Sequence, residues 1–139
     1  MEVKEREIRN NLILKVALDV PLYKLFDYQL NKKNSTKPSI GSRVLVPFGK
    51  QKKVGVIIDI VNRSSVAKSK LKECISILDE NPIFEKKQLD FIHFASNYYQ
   101  YPLGRVLYAA MPGNLRKGKS LTKFIDSIVI TDNGKNVDL

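Results

Sequence analysis

The stretch Val44-Leu45-Val46-Pro47-Phe48-Gly49-Lys50-Gln51-Lys52-Lys53-Val54-Gly55-Val56-Ile57-Ile58-Asp59-Ile60 reads as strand, basic turn, strand. Val44, Val46 and Phe48 alternate onto one face. Val54, Val56, Ile58 and Ile60 do the same after the turn, with the period of two that marks half-buried strands. Pro47 removes a backbone donor and pre-sets φ, while Gly49 gives the turn backbone freedom and lets another chain come close. Lys50, Lys52 and Lys53 place three cations on the turn. A glycine hairpin with a cationic tip suits a phosphate-bearing partner; the same lysines suit a hairpin that is merely solvated.

Outward from this hairpin the pattern stays β on both sides. From Leu12 to Val20, Leu14, Val16, Leu18 and Val20 fall on one face, and Lys15, Ala17 and Asp19 on the other; Pro21 ends or kinks this strand. Leu25 to Leu30 is a second short strand, residues 31–41 form a polar loop, and residues 62–70 form a flexible basic loop. Leu71 to Leu78 reads as a fifth strand. Five short strands with no helix between them predict a mainly β fold with appended helices: a small, OB-like five-stranded antiparallel barrel over residues 12–80. After Asn81-Pro82 the period changes. Apolar residues recur at helical spacing from Glu85 to Tyr99, Pro102 breaks that helix, and a second runs from Leu103 to Met111 before Pro112-Gly113. The helical segment therefore covers residues 85–112. Arg116, Lys117 and Lys119 flank Gly118 in a basic linker. Lys123 to Ile130 is strand-like and is followed by an Asn133-Gly134 turn. Residues 1–11 are expected to be a charged arm.

Composition narrows the function classes. At 139 residues with 43% hydrophobic content, the chain is long enough for one core. No apolar run approaches the ~18 residues of a membrane span. The charged N-terminus lacks the apolar stretch of a signal peptide, so a cytoplasmic protein is expected. One cysteine, Cys74, forbids an internal disulfide and a Cys-based zinc site, and His93 is the only histidine. The formal net charge is +10, and nearly all of it is local: residues 20–78 hold 12 Lys/Arg against three acids, Asp27, Asp59 and Glu73. Such a confined excess is the electrostatic footprint of a nucleic-acid binder.

Phe26-Asp27-Tyr28 lies inside that cationic segment. Rings that stack on bases beside lysines that meet phosphates are how single strands are held, at about 1–3 kcal/mol per stacked base. In a strand Phe26 and Tyr28 share one face and Asp27 takes the other, so the rings also suit a core position. Asp27 is the informative residue. A carboxylate repels phosphate and is badly placed beside a continuous backbone, yet it accepts hydrogen bonds from base N–H groups or from a hydroxyl. An acid among lysines therefore favours a strand terminus with a free 3′-hydroxyl. Lys72 follows a flexible loop carrying Lys68 and Lys70, and can reach the same ligand as the Gly49 turn or serve as an ordinary surface lysine. His93 sits in the helix with no nucleophile or second base beside it, so a structural role is expected. Tyr98, Tyr99 and Tyr101 read as helix-end packing with one ring exposed. No G-x-x-x-x-G-K-[ST] loop occurs and the acids form no obvious catalytic pair, so no enzyme activity and no cofactor are expected of these residues.

The order of Val16-Ala17-Leu18-Asp19-Val20-Pro21-Leu22, Phe26-Asp27-Tyr28 and Gly41-Ser42-Arg43-Val44-Leu45-Val46-Pro47-Phe48-Gly49-Lys50-Gln51 resembles the N-terminal region of the bacterial replication-restart helicase family, primosomal protein N′ or PriA. The likeness continues through Leu71-Lys72, Leu78-Asp79, Ala95 with Tyr98-Tyr99, and Pro102-Leu103-Gly104-Arg105-Val106-Leu107, covering about residues 12–118. The resemblance implies a 3′ DNA-binding domain, an OB-like barrel with helices, that captures the 3′ end of a nascent leading strand at a stalled fork. It implies a pocket built by Phe26, Asp27 and Tyr28, by Gly49, and by Lys72. Asp27 would read the edge of the terminal base, with Gly49 and Lys72 near the sugar and its 3′-hydroxyl. Lys50 joins the DNA-binding set as a cation on the hairpin tip. Residues 119–139 look like the start of a truncated winged-helix domain; the family's helicase motor and zinc-binding cysteines are not among these residues. DNA with a free 3′ end is the expected partner, with single-stranded-DNA-binding protein and other primosome proteins as further partners and no membrane. Two rival readings stay open: a general single-stranded nucleic-acid-binding domain without end preference, and a protein-docking module acting through helices 85–112.

Overall fold

A computed structural model of the protein describes residues 11–31 and 33–120. Apart from Asn11, the expected N-terminal arm lies outside the described residues, as does the strand expected over 123–130. Six strands form one sheet: β1 (Ile13–Ala17), β2 (Phe26–Gln29), β3 (Arg43–Phe48), β4 (Gln51–Val61), β5 (Lys72–Glu73) and β6 (Ser76–Ile77), in the order β5-β2-β1-β4-β3-β6. Three helices follow: α1 (Lys86–Tyr99), α2 (Leu103–Ala110) and α3 (Gly113–Arg116).

The expected fifth strand is two strands. β5 runs parallel to β2, whereas β6 runs antiparallel to β3, so the sheet is mixed and has six strands rather than five antiparallel ones. The split has a physical cause. The Cys74 N–H donates to the Gln29 carbonyl at 2.9 Å, and the next N–H, on Ile75, donates to the Leu45 carbonyl at 2.8 Å. One extended segment thus pairs with part of each outer edge of the sheet and curls it into a half-barrel, which shortens the exposed edges.

Hairpin β3–β4 turns on two residues, Gly49 and Lys50, because Phe48 already faces Gln51 across the ladder. Gly49 has φ +60°, the glycine-first arrangement that type II′ hairpins require. Lys52 and Lys53 therefore belong to β4, opposite Pro47 and Val46, and not to the turn. Pro47 is tolerated because β6 pairs with β3 only at Val44 and Leu45, leaving the Pro47 end of β3 as an edge.

The expected common face of Val54, Val56, Ile58 and Ile60 fails at a β-bulge. Lys15 faces Asp59 and Val16 faces Ile57, so Ile58 is an extra residue on β4. One added residue reverses the alternation. Ile57 and Ile60 consequently point into the barrel with Leu14, Val16, Val44 and Val46, while Val56 and Ile58 pack towards the helices with Ala17, Leu89, Ile92 and Leu107.

α1 starts at Glu85, where the Glu85 N–H donates to the Gln88 side chain at 2.8 Å as part of a capping box. It ends at Gln100 in the left-handed region, φ 51°. The Tyr23 hydroxyl donates to the Gln100 carbonyl, tying this helix end to the segment after β1. α2 approaches β1 so closely that a Cβ at Gly104 would overlap the Leu18 carbonyl. Arg116, expected in a linker, is the last residue of α3; its guanidinium donates to the Met111 and Ala109 carbonyls at 2.8 and 3.1 Å and lies over the Tyr108 ring. Tyr98, Tyr99 and Tyr101 are all exposed, not one of the three, because the packed face of α1 is the one carrying Leu89 and Ile92.

Arg43 corrects the charge map. It is fully buried, with Nε and Nη2 donating to the two Asp79 carboxylate oxygens at 2.9 and 2.6 Å, and Nη1 donating to the Leu115 and Lys119 carbonyls. One of the 12 cations counted for the basic segment is thus an internal strut between the barrel and α3.

Candidate nucleic-acid interface

β5 and β6 are two residues each, so they staple the seam of the barrel only where Tyr28–Gln29 and Val44–Leu45 lie. Beyond the staple the start of β2 and the end of β3 are paired with neither β5 nor β6. There the seam opens into a cleft of about 520 Å³. Phe26, Asp27, Tyr28, Gly49 and Lys72 all line it. Lys50 does not; it is exposed on the hairpin turn beside the cleft.

The walls of the cleft are aromatic and cationic. Phe26 and Phe48 meet edge to face, with centroids 5.4 Å apart. Lys24 Nζ lies 5.0 Å from the Phe26 centroid and Lys53 Nζ lies 5.7 Å from that of Phe48, within cation–π range. Tyr28 is mainly a core residue: its ring is buried, burial pushes its phenol above the ordinary range, and its hydroxyl donates to the Pro47 carbonyl at 2.8 Å. That bond crosses the seam and fixes the spacing between β2 and β3. At Gly49 an added Cβ would meet nothing within 4 Å, so the backbone conformation demands glycine there while the space beside it is open.

Asp27 is held differently from the ring of ammonium groups the charge pattern predicts. Its side chain is only 5% exposed. Lys15 Nζ donates to one oxygen at 3.0 Å, and the Ser64 hydroxyl donates to the other at 2.5 Å. Ser64 belongs to the loop before β5, and its oxygen also accepts the Val66 N–H at 3.0 Å. The carboxylate is therefore tucked between an outward-facing β1 lysine and a loop hydroxyl. Lys72, opposite Tyr28 in the parallel register, projects an exposed cation. Among the described residues along the lining, four lysines (Lys15, Lys24, Lys70 and Lys72) accompany one acid. Chemically this can accept hydrogen bonds from a base edge at Asp27, offer ring surface at Phe26 and Phe48, and offset phosphate charge with the lysines.

Lys15 and Ser64 are functional candidates that residue order hides. Lys15 is 12 positions from Asp27 and joins it through the β1–β2 register, which pairs the two residues directly. Alternation did put Lys15 on the polar face of strand one, and a cross-strand partner for Asp27 was the available signal. Nothing in the loop sequence singles out Ser64. Among the described residues, no group of three or more His, Cys, Asp or Glu side chains is placed to hold a metal ion, and no helix is long and apolar enough to cross a membrane.

Comparison with known proteins gives the family. Residues 15–112 match the model of the PriA 3′ DNA-binding domain (3′BD). The chain is 46% identical over 125 residues to the replication restart protein PriA of Haemophilus influenzae, covering 89% of this chain and 17% of that protein. It is 30% identical over 115 residues to PriA of Treponema pallidum, covering 80% and 17%, and 30% identical over 106 residues to PriA of Buchnera aphidicola subsp. Schizaphis graminum, covering 76% and 14%. The chain thus spans less than a fifth of the length of these relatives. A strand-turn-strand core, a stapled half-barrel with trailing helices, and a match over residues 15–112 together show that this chain belongs to the PriA 3′ DNA-binding-domain family.

Proposed function

We propose that this chain captures the 3′-hydroxyl end of single-stranded DNA, and that it does so for a primosome-assembling replication-restart helicase by holding the end of the nascent leading strand at a stalled fork. The observation that carries this is a nearly buried carboxylate, Asp27, the one acid among the described residues that line a cleft with four lysines and the Phe26 and Phe48 rings. In a groove that tracked a continuous backbone, the acid would repel the next phosphate. At a terminus it has no such neighbour. The terminal base packs against Phe26 and Phe48, its N–H edge donates to Asp27, and Lys72 and the open space beside Gly49 receive the sugar and its 3′-hydroxyl. Lys50, on the adjoining turn, meets the incoming backbone. The chain contributes binding and no chemistry; unwinding is assigned to a separate motor, and the setting is the bacterial cytoplasm.

Fluorescence anisotropy with 5′-labelled oligonucleotides ending in a 3′-hydroxyl or a 3′-phosphate tests this directly. The 3′-phosphate weakens binding about tenfold, equivalent to ~1.4 kcal/mol, and Asp27→Asn narrows that gap. Equal affinity for the two ends overturns the proposal in favour of a general single-strand binder, whose affinity would follow the lysines and the salt concentration alone.

A second reading has one specific observation behind it. Phe91, Phe94 and Tyr98 lie on the outward side of α1 at 68%, 61% and 70% exposure, with Phe94 and Tyr98 stacked. Spacing of i, i+3, i+7 makes one apolar stripe, which suits docking of a primosome protein or a single-stranded-DNA-binding protein.

A further inference from the structure

The loop between β4 and β5 separates two hollows. On one side lies the cleft described above. On the other lies a second hollow of about 660 Å³; Val66 lines both, Ser65 lines the first and Ser64 the second. A volume of this size falls within the range of about 300–1,000 Å³ in which small-molecule sites are found. Its cations are Arg63 and Lys68, its amides are Asn11, Gln29 and Asn62, and its apolar floor is Ile13 with Leu71; among the described residues, no acid lines it. The loop is pinned between the hollows by the Ser64–Asp27 bond.

We propose that this second hollow is the subsite for the nucleotide immediately 5′ of the terminal one, so that the strand leaves the cleft by crossing the Ser64–Val66 segment. This deepens the end-capture reading and rests on it. Three features support the assignment. First, the two hollows meet at Val66, and Ser64 of the second is bonded to Asp27 of the first, so consecutive nucleotides of one strand can occupy them in turn. Second, their electrostatics are complementary to different parts of a strand. The cleft holding Asp27 disfavours a phosphate, whereas the hollow holding Arg63 and Lys68, with no acid among the described residues that line it, favours one. Third, the amide side chains can bond base edges or sugar, and the apolar floor can take the face of a base. The alternative exit, over the hairpin turn, offers exposed Lys50 and Lys52, and neither of them lines either hollow.

The test uses the full chain and 5′-phosphorylated oligothymidylates of one to four nucleotides, all with a 3′-hydroxyl. In the wild type the second nucleotide tightens binding about tenfold and the third adds less than about threefold, because phosphate and base contacts of this kind are each worth one to a few kcal/mol. In Arg63→Gln/Lys68→Gln the ratio of dinucleotide to mononucleotide affinity falls to less than about twofold. Both side chains are exposed, so the fold is not at stake. In amide NMR spectra, residues 62, 63 and 68 shift on adding the dinucleotide and stay in place with thymidine 5′-monophosphate. An unchanged affinity ratio in the double variant overturns the proposal, as does a ratio that collapses in Lys50→Gln/Lys52→Gln instead. Failure of end capture itself reads out separately: a 3′-phosphate on the dinucleotide then has no effect, whatever the ratio.

Discussion

Two aspartates in this small domain look alike by burial and behave as opposites by construction. Asp79 is 7% exposed and Asp27 is 5% exposed, and each accepts from one cation. Asp79 is gripped by a fully buried Arg43 through two guanidinium bonds and also accepts the Arg43 N–H at 2.9 Å. All its partners are internal, and the arginine goes on to hold two carbonyls at the far end of the helical segment. Asp27 is held by Lys15, whose side chain is 31% exposed, and by a hydroxyl on a surface loop. Lys15 can turn to water without itself becoming a buried unpaired charge, and a ligand's donor can take its place, or that of the Ser64 hydroxyl, on the carboxylate. The comparison teaches that burial alone does not separate a structural acid from a recognition acid. What separates them is whether the partners can be exchanged.

The sharpest way to break this comparison is to neutralise each acid. Asp79→Asn should destabilise the domain by roughly 3–5 kcal/mol, because it strands a desolvated guanidinium, while Asp27→Asn should cost less than about 1 kcal/mol, because Lys15 reaches solvent. Urea unfolding of the two variants measures both. Similar costs would mean that Asp27 is a structural acid too.

Next in size is the bond across the seam. Tyr28→Phe removes the donor to Pro47 and should cost about 1 kcal/mol, with a looser cleft seen as weaker oligonucleotide binding. It also has a pH signature. Burial raises both the Tyr28 phenol and the Cys74 thiol above their ordinary ranges. Unfolded, these groups ionise near their ordinary values of about 10 and 8.5; folded, they hold their protons longer. Stability is therefore flat below the ordinary thiol range and falls as pH rises through it and then through the phenol range. Tyr28→Phe removes the later part of that fall, which unfolding midpoints between neutral and alkaline pH will reveal.

The smallest effect expected is from Ser64→Ala. Loss of an exposed-loop bond to Asp27 should change stability by no more than about 0.5 kcal/mol. If Ser64 competes with a base for the carboxylate, the variant binds 3′-hydroxyl ends as well as or better than the wild type. A marked loss of binding would make the hydroxyl part of the recognition set.

The family and the mainly β architecture were both legible in residue order. Alternation in Val44–Phe48 and in Leu14–Val20 located the barrel core, and the change of period after Pro82 located the helices. Three features were not legible. The bulge at Ile58 inverts a perfect-looking alternation, since parity along one strand says nothing of an extra residue opposite its partner. The segment from Leu71 to Leu78 is apolar enough for one strand, but two edges 31 residues or more back in the chain divide it between them. Arg43 looks like any other lysine-rich-segment cation until Asp79 closes on it.

By itself, the sequence determined what is local and periodic: strand and helix periods, the glycine that a two-residue turn needs, the confined positive charge, and the residue types that could meet a strand end. Tertiary structure alone decided what depends on pairing between distant segments. It placed Lys15 and Ser64 on Asp27, buried Arg43, split the last strand, and left the seam open beside Phe26 and Phe48. The physical reason is that side-chain alternation is a property of one strand, whereas register, closure and the exchange of partners around a buried charge are properties of two or more strands meeting, and no single segment carries that information.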